Sequence, residues 1–275
     1  MKLKFRRIAA FPTPLRLGLF AIALLGIWLP FALPLFLIFR HDPNLTTILT
    51  MGLLAIFFIV LLHFWGQYVC REPRIFKHYG LELSRRNGID LLNGLSIGLL
   101  LTFALFALMA GLGWVQFQSA SNLGQTIAEG FLSALGIGFA EELVFRGWLL
   151  DELERDYSPK TALWTDALAY ATLHFLKPIS EVIRTLPQFP GLIILGLALV
   201  WAKRSRRGRL GITIGLHAGL VWGYYILNIG QILSYTNRVS DWITGVDGNP
   251  VAGGMGILFI SILALWARSL QGETG

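Results

Sequence analysis

Long apolar runs separated by short charged segments constrain this chain more than any other feature of its sequence. The runs cover residues 17–39, 46–69, 91–115, 127–150, 161–176, 188–202, 211–233 and 253–268. A helix needs roughly 20 apolar residues to cross the hydrocarbon core of a bilayer. The fifth and sixth runs are short by that measure. Composition points the same way: 55% of the residues are hydrophobic, 14% are charged, and the mean hydropathy is +0.62. A soluble domain carries about 25% charged residues, so this chain lacks the polar residues to coat a soluble globule. Disordered, collagen-like and disulfide-scaffold classes are excluded too, because apolar content is high and Cys70 is the single cysteine. The expected fold is all-α: a polytopic transmembrane helical bundle of about eight spans. Pro30 and Pro34 are expected to kink the first span, which neighbouring helices make tolerable.

Charge sets the orientation. The net charge is +7, but it is clustered between apolar runs rather than spread over one basic face, which argues for topogenic charge and against nucleic acid. Lys2, Lys4, Arg6, Arg7 and Arg16 precede the first run, which is too long for a signal-peptide core and lacks a small-x-small cleavage site, so it reads as a retained span. With the N-terminus in the cytosol, segments 1–16, 70–90, 151–160, 203–210 and the C-terminal tail fall inside. They hold most of the 23 Lys and Arg, so both termini are expected to be cytosolic. The cluster Lys203, Arg204, Arg206, Arg207, Arg209 offers a contact to anionic headgroups. Three regions are expected: spans and a basic loop in 1–126, a core in 127–232, and an outer loop with the last span in 233–275.

The fourth run contains charges that a bilayer span should not hold. Glu141, Glu142 and Arg146 lie among apolar residues, and each charge costs at least about 2.5–3.5 kcal/mol on insertion scales. Successive helical residues point about 100° apart, so the two glutamates face different directions. Glu142 and Arg146, four apart, can pair. That leaves Glu141 without a local cation and suited to act as a general base. The plainer alternative, a packing salt bridge near a helix end, does not require the second glutamate. His174 and His217 lie in the fifth and seventh runs. Singly, each suits an interhelical hydrogen bond as well as catalysis, and their weight comes from combination with the glutamates. Gly215, Ala218 and Gly219 allow close helix approach around His217. His63 is expected to be a structural hydrogen-bonder, while Asp166 and Glu129, near span ends, are expected to be solvated.

Taken together, Glu141-Glu142-x-x-x-Arg146, Tyr170-x-x-x-His174 and His217 on a later span resemble the CPBP intramembrane proteases. These include type II CAAX prenyl endopeptidases and bacteriocin-processing or self-immunity proteins. The resemblance spans about residues 127–232 and implies an intramembrane endopeptidase. By the family pattern Glu141 activates water, His174 helps hold it, His217 contributes to the oxyanion site, and Glu142 with Arg146 supports Glu141. Two positions depart from that pattern. Val221 stands four after His217, where the family commonly has Asn, and Tyr170 stands where Phe is usual. Loss of one oxyanion donor can cost about 2.7–4 kcal/mol; Tyr224 and Asn228 are the nearest substitutes. Counted along the spans, Glu141 and His217 fall in the inner half of the bilayer, and His174 falls deeper unless the fifth span starts late or breaks.

The expected activity is hydrolysis of peptide bonds in membrane-associated or CAAX-like substrates by glutamate-activated water, with no cofactor. The same set, Glu141, His174 and His217, could instead hold zinc with an open water position, although the chain has no HExxH. A catalytically degenerate scaffold or immunity-type protein is the main alternative, motivated by Val221. An ion- or proton-coupled transporter is disfavoured, because a relay needs carboxylates spread across the bilayer. The expected partners are the lipid bilayer and a peptide or protein substrate, and the expected location is the plasma membrane or another internal membrane, as a multi-pass protein.

Overall fold

A computed structural model describes residues 7–271, most of them helical. Lys2, Lys4 and Arg6, and the last four residues of the C-terminal tail, lie outside the described residues. The chain divides into two compact units between His78 and Tyr79. The expected boundaries after 126 and 232 both fall inside the second unit.

The first unit is a helical hairpin. α1 (Thr13–Phe39) runs as one helix through Pro30 and Pro34. α2 (Pro43–Trp65) opens on Asp42, whose carboxylate accepts from Leu45 N–H at 2.9 Å, with proline in the first turn. The Trp28 indole donates to Thr50 O at 3.0 Å, joining the two helices. Arg16 is buried and donates to Phe11 O (2.5 Å) and Thr13 Oγ1 (3.1 Å). His63 pairs with Gln67 at 3.0 Å. Ile22, Phe36 and Leu37 are exposed apolar side chains, as a lipid-facing helix requires.

The second unit holds α3 (Arg85–Gly111), α4 (Leu123–Glu142), α5 (Pro159–Leu173), α6 (Ile179–Thr185), α7 (Phe189–Ser205), α8 (Gly211–Tyr224) and α9 (Gly254–Ser269). α8 is its axis. Gly94 and Gly98 on α3 face Gly215 and Gly219 on α8 so closely that a β-carbon at Gly215 would collide with Leu91 O, and one at Gly219 with Leu95 O. Such small-xxx-small seams let helix backbones meet without a hydrophobic driving force. On its other side α8 meets α4, where Gly138 faces Ile214 O and Ala218. α7 packs between α5 and α9.

The polar ends fasten this bundle. Ser84 caps α3, and the buried Asn87 accepts from Gly211 N–H at 2.8 Å, capping α8 as well. Asp90 faces Arg209 at 2.6 Å and Arg206 at 3.7 Å. At the opposite end, β1 (Val115–Phe117) pairs antiparallel with β2 (Leu233–Tyr235). Together they cover a core of Leu105, Phe106, Met109 and Leu227. The segment after β2, expected as loop, contains short helices at Asp241–Thr244, Val246–Gly248 and Pro250–Ala252.

Among the described residues, five helical stretches are long and apolar enough to cross a membrane: Thr13–Phe39, Pro43–Cys70, Arg85–Gly111, Ile179–Ser205 and Gly211–Ile229. The other three expected spans are helical as well. The stretch 127–150 carries Glu129, Glu141, Glu142 and Arg146; α5 has 15 residues and α9 has 16. α5 turns one face into the interior of the second unit and leaves Trp164, Leu168 and Leu173 exposed on the other. On the inward face Ala162, Asp166, Ala167, Tyr170 and Ala171 are all buried.

Candidate active site

α4 ends at Glu142 and continues into a π-helical stretch, Leu143–Leu149, before one more α-turn, Leu150–Glu154. Such π segments widen a helix locally and recur at functional sites. Glu142 and Arg146 keep their contact across this change, with Arg146 Nη1 donating to Glu142 Oε1 at 3.0 Å and both side chains fully buried.

α8 brings His217 to the same carboxylate, its Nδ1 lying 2.9 Å from Glu142 Oε1. A carboxylate that accepts from arginine has no proton to offer, so Nδ1 carries the hydrogen. α5 ends at Leu173, and His174 occupies its C-cap; the chain then breaks away through Phe175 and Leu176. His174 Nδ1 lies 2.8 Å from Tyr170 O. A carbonyl only accepts, so here too Nδ1 is the donor. Both imidazoles therefore turn Nε2 outward, and both Nε2 atoms lie 3.8 Å from Glu141 Oε2. That distance is too long for a hydrogen bond. The buried Oε2 atom makes none, although the Glu141 side chain as a whole is 31% exposed.

The structure thus brings Glu141, Glu142, Arg146, His174 and His217 together from α4, α5 and α8. The depth mismatch counted for His174 does not arise: α5 begins at Pro159, earlier than expected, and its C-cap places the imidazole beside Glu141. With both histidines neutral, the centre is a set of three acceptors, Glu141 Oε2, His174 Nε2 and His217 Nε2, with no donor among them. A water molecule supplies two hydrogens to such a set.

Tyr170 packs at the middle of the site. Its ring stacks under the Arg146 guanidinium at 4.4 Å and meets His174 edge-on at 4.6 Å. A cavity of about 240 Å³ adjoins both imidazoles. Its wall is mostly apolar, including Leu101, Leu192, Leu195, Val221 and Phe259, with Tyr224 and Asn249 among its polar members. Glu141 is not part of that wall. Tyr224 therefore shares the cavity with the histidines. Asn228 instead accepts from the Tyr235 hydroxyl at 3.1 Å.

Two expectations are corrected. Asp166 is not solvated at a span end: it is fully buried, with Oδ2 3.5 Å from Arg146 Nε. Its spacing of four before Tyr170 and eight before His174, one stripe of α5, was the available signal. The basic cluster at 203–209 is largely tied to the protein rather than free for headgroups. Lys203 is buried and donates to Arg146 O at 2.5 Å, Arg204 reaches Glu154 at 2.7 Å, and Arg206 and Arg209 face Asp90. Arg207 is the exposed member. Glu129 is exposed, as expected, and accepts from Gln125 at 2.7 Å.

Among the described residues, no group of three or more His, Cys, Asp or Glu is arranged to hold a metal ion. Glu141, His174 and His217 are the residues that would supply donors to one, through Oε2 and the two Nε2 atoms.

A family model described as type II CAAX prenyl endopeptidase Rce1-like matches residues 122–223. Searches of curated proteins and of solved structures each returned no match. The matched segment, well under half of the chain, contains both glutamates, Arg146 and both histidines, and it is similar to the Rce1-like family of type II CAAX prenyl endopeptidases.

Proposed function

We propose that this protein is a glutamate-dependent intramembrane endopeptidase that cleaves membrane-associated or CAAX-like substrates without a metal. The observation that carries the reading is the convergence of three acceptors, Glu141 Oε2 and the two imidazole Nε2 atoms, at 3.8 Å spacing. Water held there donates one hydrogen to Glu141 and the other to His174. As the water oxygen attacks the scissile carbonyl carbon, its proton passes to Glu141 and the C=O electron pair moves onto oxygen. On substrate binding His217 takes up one proton from solvent at Nε2, with Glu142 at Nδ1 as the counter-charge the imidazolium requires; it donates from Nε2 to the oxyanion and releases that proton to solvent after the C=O re-forms. Glu141 then returns the proton to the departing nitrogen as the C–N bond breaks, so one water is consumed per bond.

The apolar cavity beside the imidazoles suits an apolar substrate group next to the scissile bond. Val221 leaves its wall without an amide donor at that point, and Gln188, Tyr224 and Asn249 are among the polar side chains of the wall able to contribute a donor.

The test is cleavage of CAAX-type and other membrane-anchored peptides by the purified protein, comparing wild type with Glu141→Gln. The variant is expected to lose activity by at least about a hundredfold, in the range of a lost general base. Equal processing by both proteins defeats the protease reading and leaves the scaffold alternative. A strong chelator is expected to leave the wild-type rate unchanged; abolition reversed by added zinc would move Glu141, His174 and His217 to metal ligands.

A further inference from the structure

Asp166 is a buried acid that the chemistry above does not use. It lies on α5 in one stripe with Tyr170 and His174. It is fully buried, its Oδ2 faces Arg146 Nε at 3.5 Å, and neither of its oxygens nor that Nε makes a hydrogen bond. Removing a carboxylate from water costs several kcal/mol, which a contact of this length repays poorly. The charge of Arg146 is already answered by Glu142, so balance alone does not call for a second acid. What Asp166 adds is direction. The guanidinium is held by Glu142 on α4, by Gly196 O on α7 at 3.2 Å, and by the Tyr170 ring on α5. Asp166 closes the remaining edge, from α5 again. Lys203, nine-tenths buried and bonded to Arg146 O, supplies a second cation to the cluster.

We infer that Asp166 is a positioning residue: by fixing Arg146 to α5, it sets His174 against Glu141 and holds Glu142 on His217. The chain of contacts runs Asp166–Arg146–Glu142–His217 on one branch. On the other it runs along α5 through Tyr170, whose carbonyl accepts from His174. Both Nε2 atoms that face Glu141 are thereby referred to one guanidinium. A displacement of about 1 Å in such a set can cost a hundredfold in rate. The inference rests on the reading of Glu141 as base, and its test has an arm that does not depend on that reading.

The full-length protein in detergent or nanodiscs is compared as wild type, Asp166→Asn and Asp166→Glu. Each is measured for kcat and KM, for melting temperature, and for modification of each histidine by diethylpyrocarbonate, located by mass spectrometry. In wild type His174 is 31% exposed and His217 is 5% exposed, so His174 is modified and His217 is protected. Asp166→Asn keeps shape and loses charge. It is expected to lower kcat by about ten- to a hundredfold with KM and melting temperature held, and to open His217 to modification. Asp166→Glu is expected to restore part of both. Wild-type kcat in Asp166→Asn overturns the inference, as does unchanged protection of His217. A loss of activity that only tracks a fall in melting temperature, unrelieved in Asp166→Glu, assigns Asp166 to stability and overturns it too. If wild type and Glu141→Gln cleave alike, the protease reading fails, and the His217 protection still decides the role of Asp166.

Discussion

At the scale of single residues, the site is governed by which nitrogen of each histidine carries hydrogen. Tyr170 O and Glu142 Oε1 each take an Nδ1–H, and that choice turns both Nε2 atoms toward Glu141. Glu142 is thus a fixed acceptor for two donors, Arg146 and His217. Arg146→Met removes the cation and leaves Glu142 and Asp166 buried without their partner. The expected loss is about 3–5 kcal/mol, the usual penalty for breaking a buried pair from one side, read as a fall in melting temperature in detergent. Arg146→Lys keeps the charge but cannot bond Glu142 and Gly196 O while lying flat on Tyr170. It is expected to melt higher than Arg146→Met and still cleave more slowly than wild type. Lys and Met variants melting alike would remove the electrostatic account.

At the scale of elements, His217 reaches Glu142 because α8 can lie against both α3 and α4. Gly94, Gly98, Gly215 and Gly219 make the first contact and Gly138 the second. Gly215→Ala sets a methyl against the Leu91 carbonyl and is expected to reduce the yield of folded, monodisperse protein sharply. Gly136→Ala, on α4 with nothing within 4 Å of an added β-carbon, is expected to be neutral or to gain up to about 1 kcal/mol from restricting the unfolded chain. Thermal melts of the two variants check this, and equal behaviour would mean the seam does not hold the bundle. The glycine spacing on α8 was visible in the sequence. Its partner on α3 was not singled out, because a small-residue pattern does not say which helix it meets.

For the whole molecule, the charge pattern makes a claim that biochemistry can check. Segment 151–160 is expected on the cytosolic side, and the segment after β2 on the other. With Cys70→Ser as background, Arg238→Cys is expected to react with a membrane-impermeant maleimide on right-side-out vesicles, and Lys160→Cys only after permeabilisation. The reverse pattern would invert the topology. Both positions are exposed in the structure, so labelling reports sidedness rather than burial.

The class of this protein, five of its eight expected membrane spans and the Glu142–Arg146 pair were legible in the sequence because each is local. Apolar length and charge between runs need no partner, and a contact between residues four apart is fixed by helix geometry. The glutamates and the two histidines could be nominated the same way, though not their arrangement. Only the tertiary structure decided that Asp166 is buried against Arg146, that Lys203 and its neighbours bond inward, and that the end of α5 sets His174 beside Glu141. Each of these depends on residues from separate helices meeting across the second unit. Which side chain ends up dry, and which nitrogen faces which carboxylate, follows from helix packing, and no spacing along a single helix encodes it.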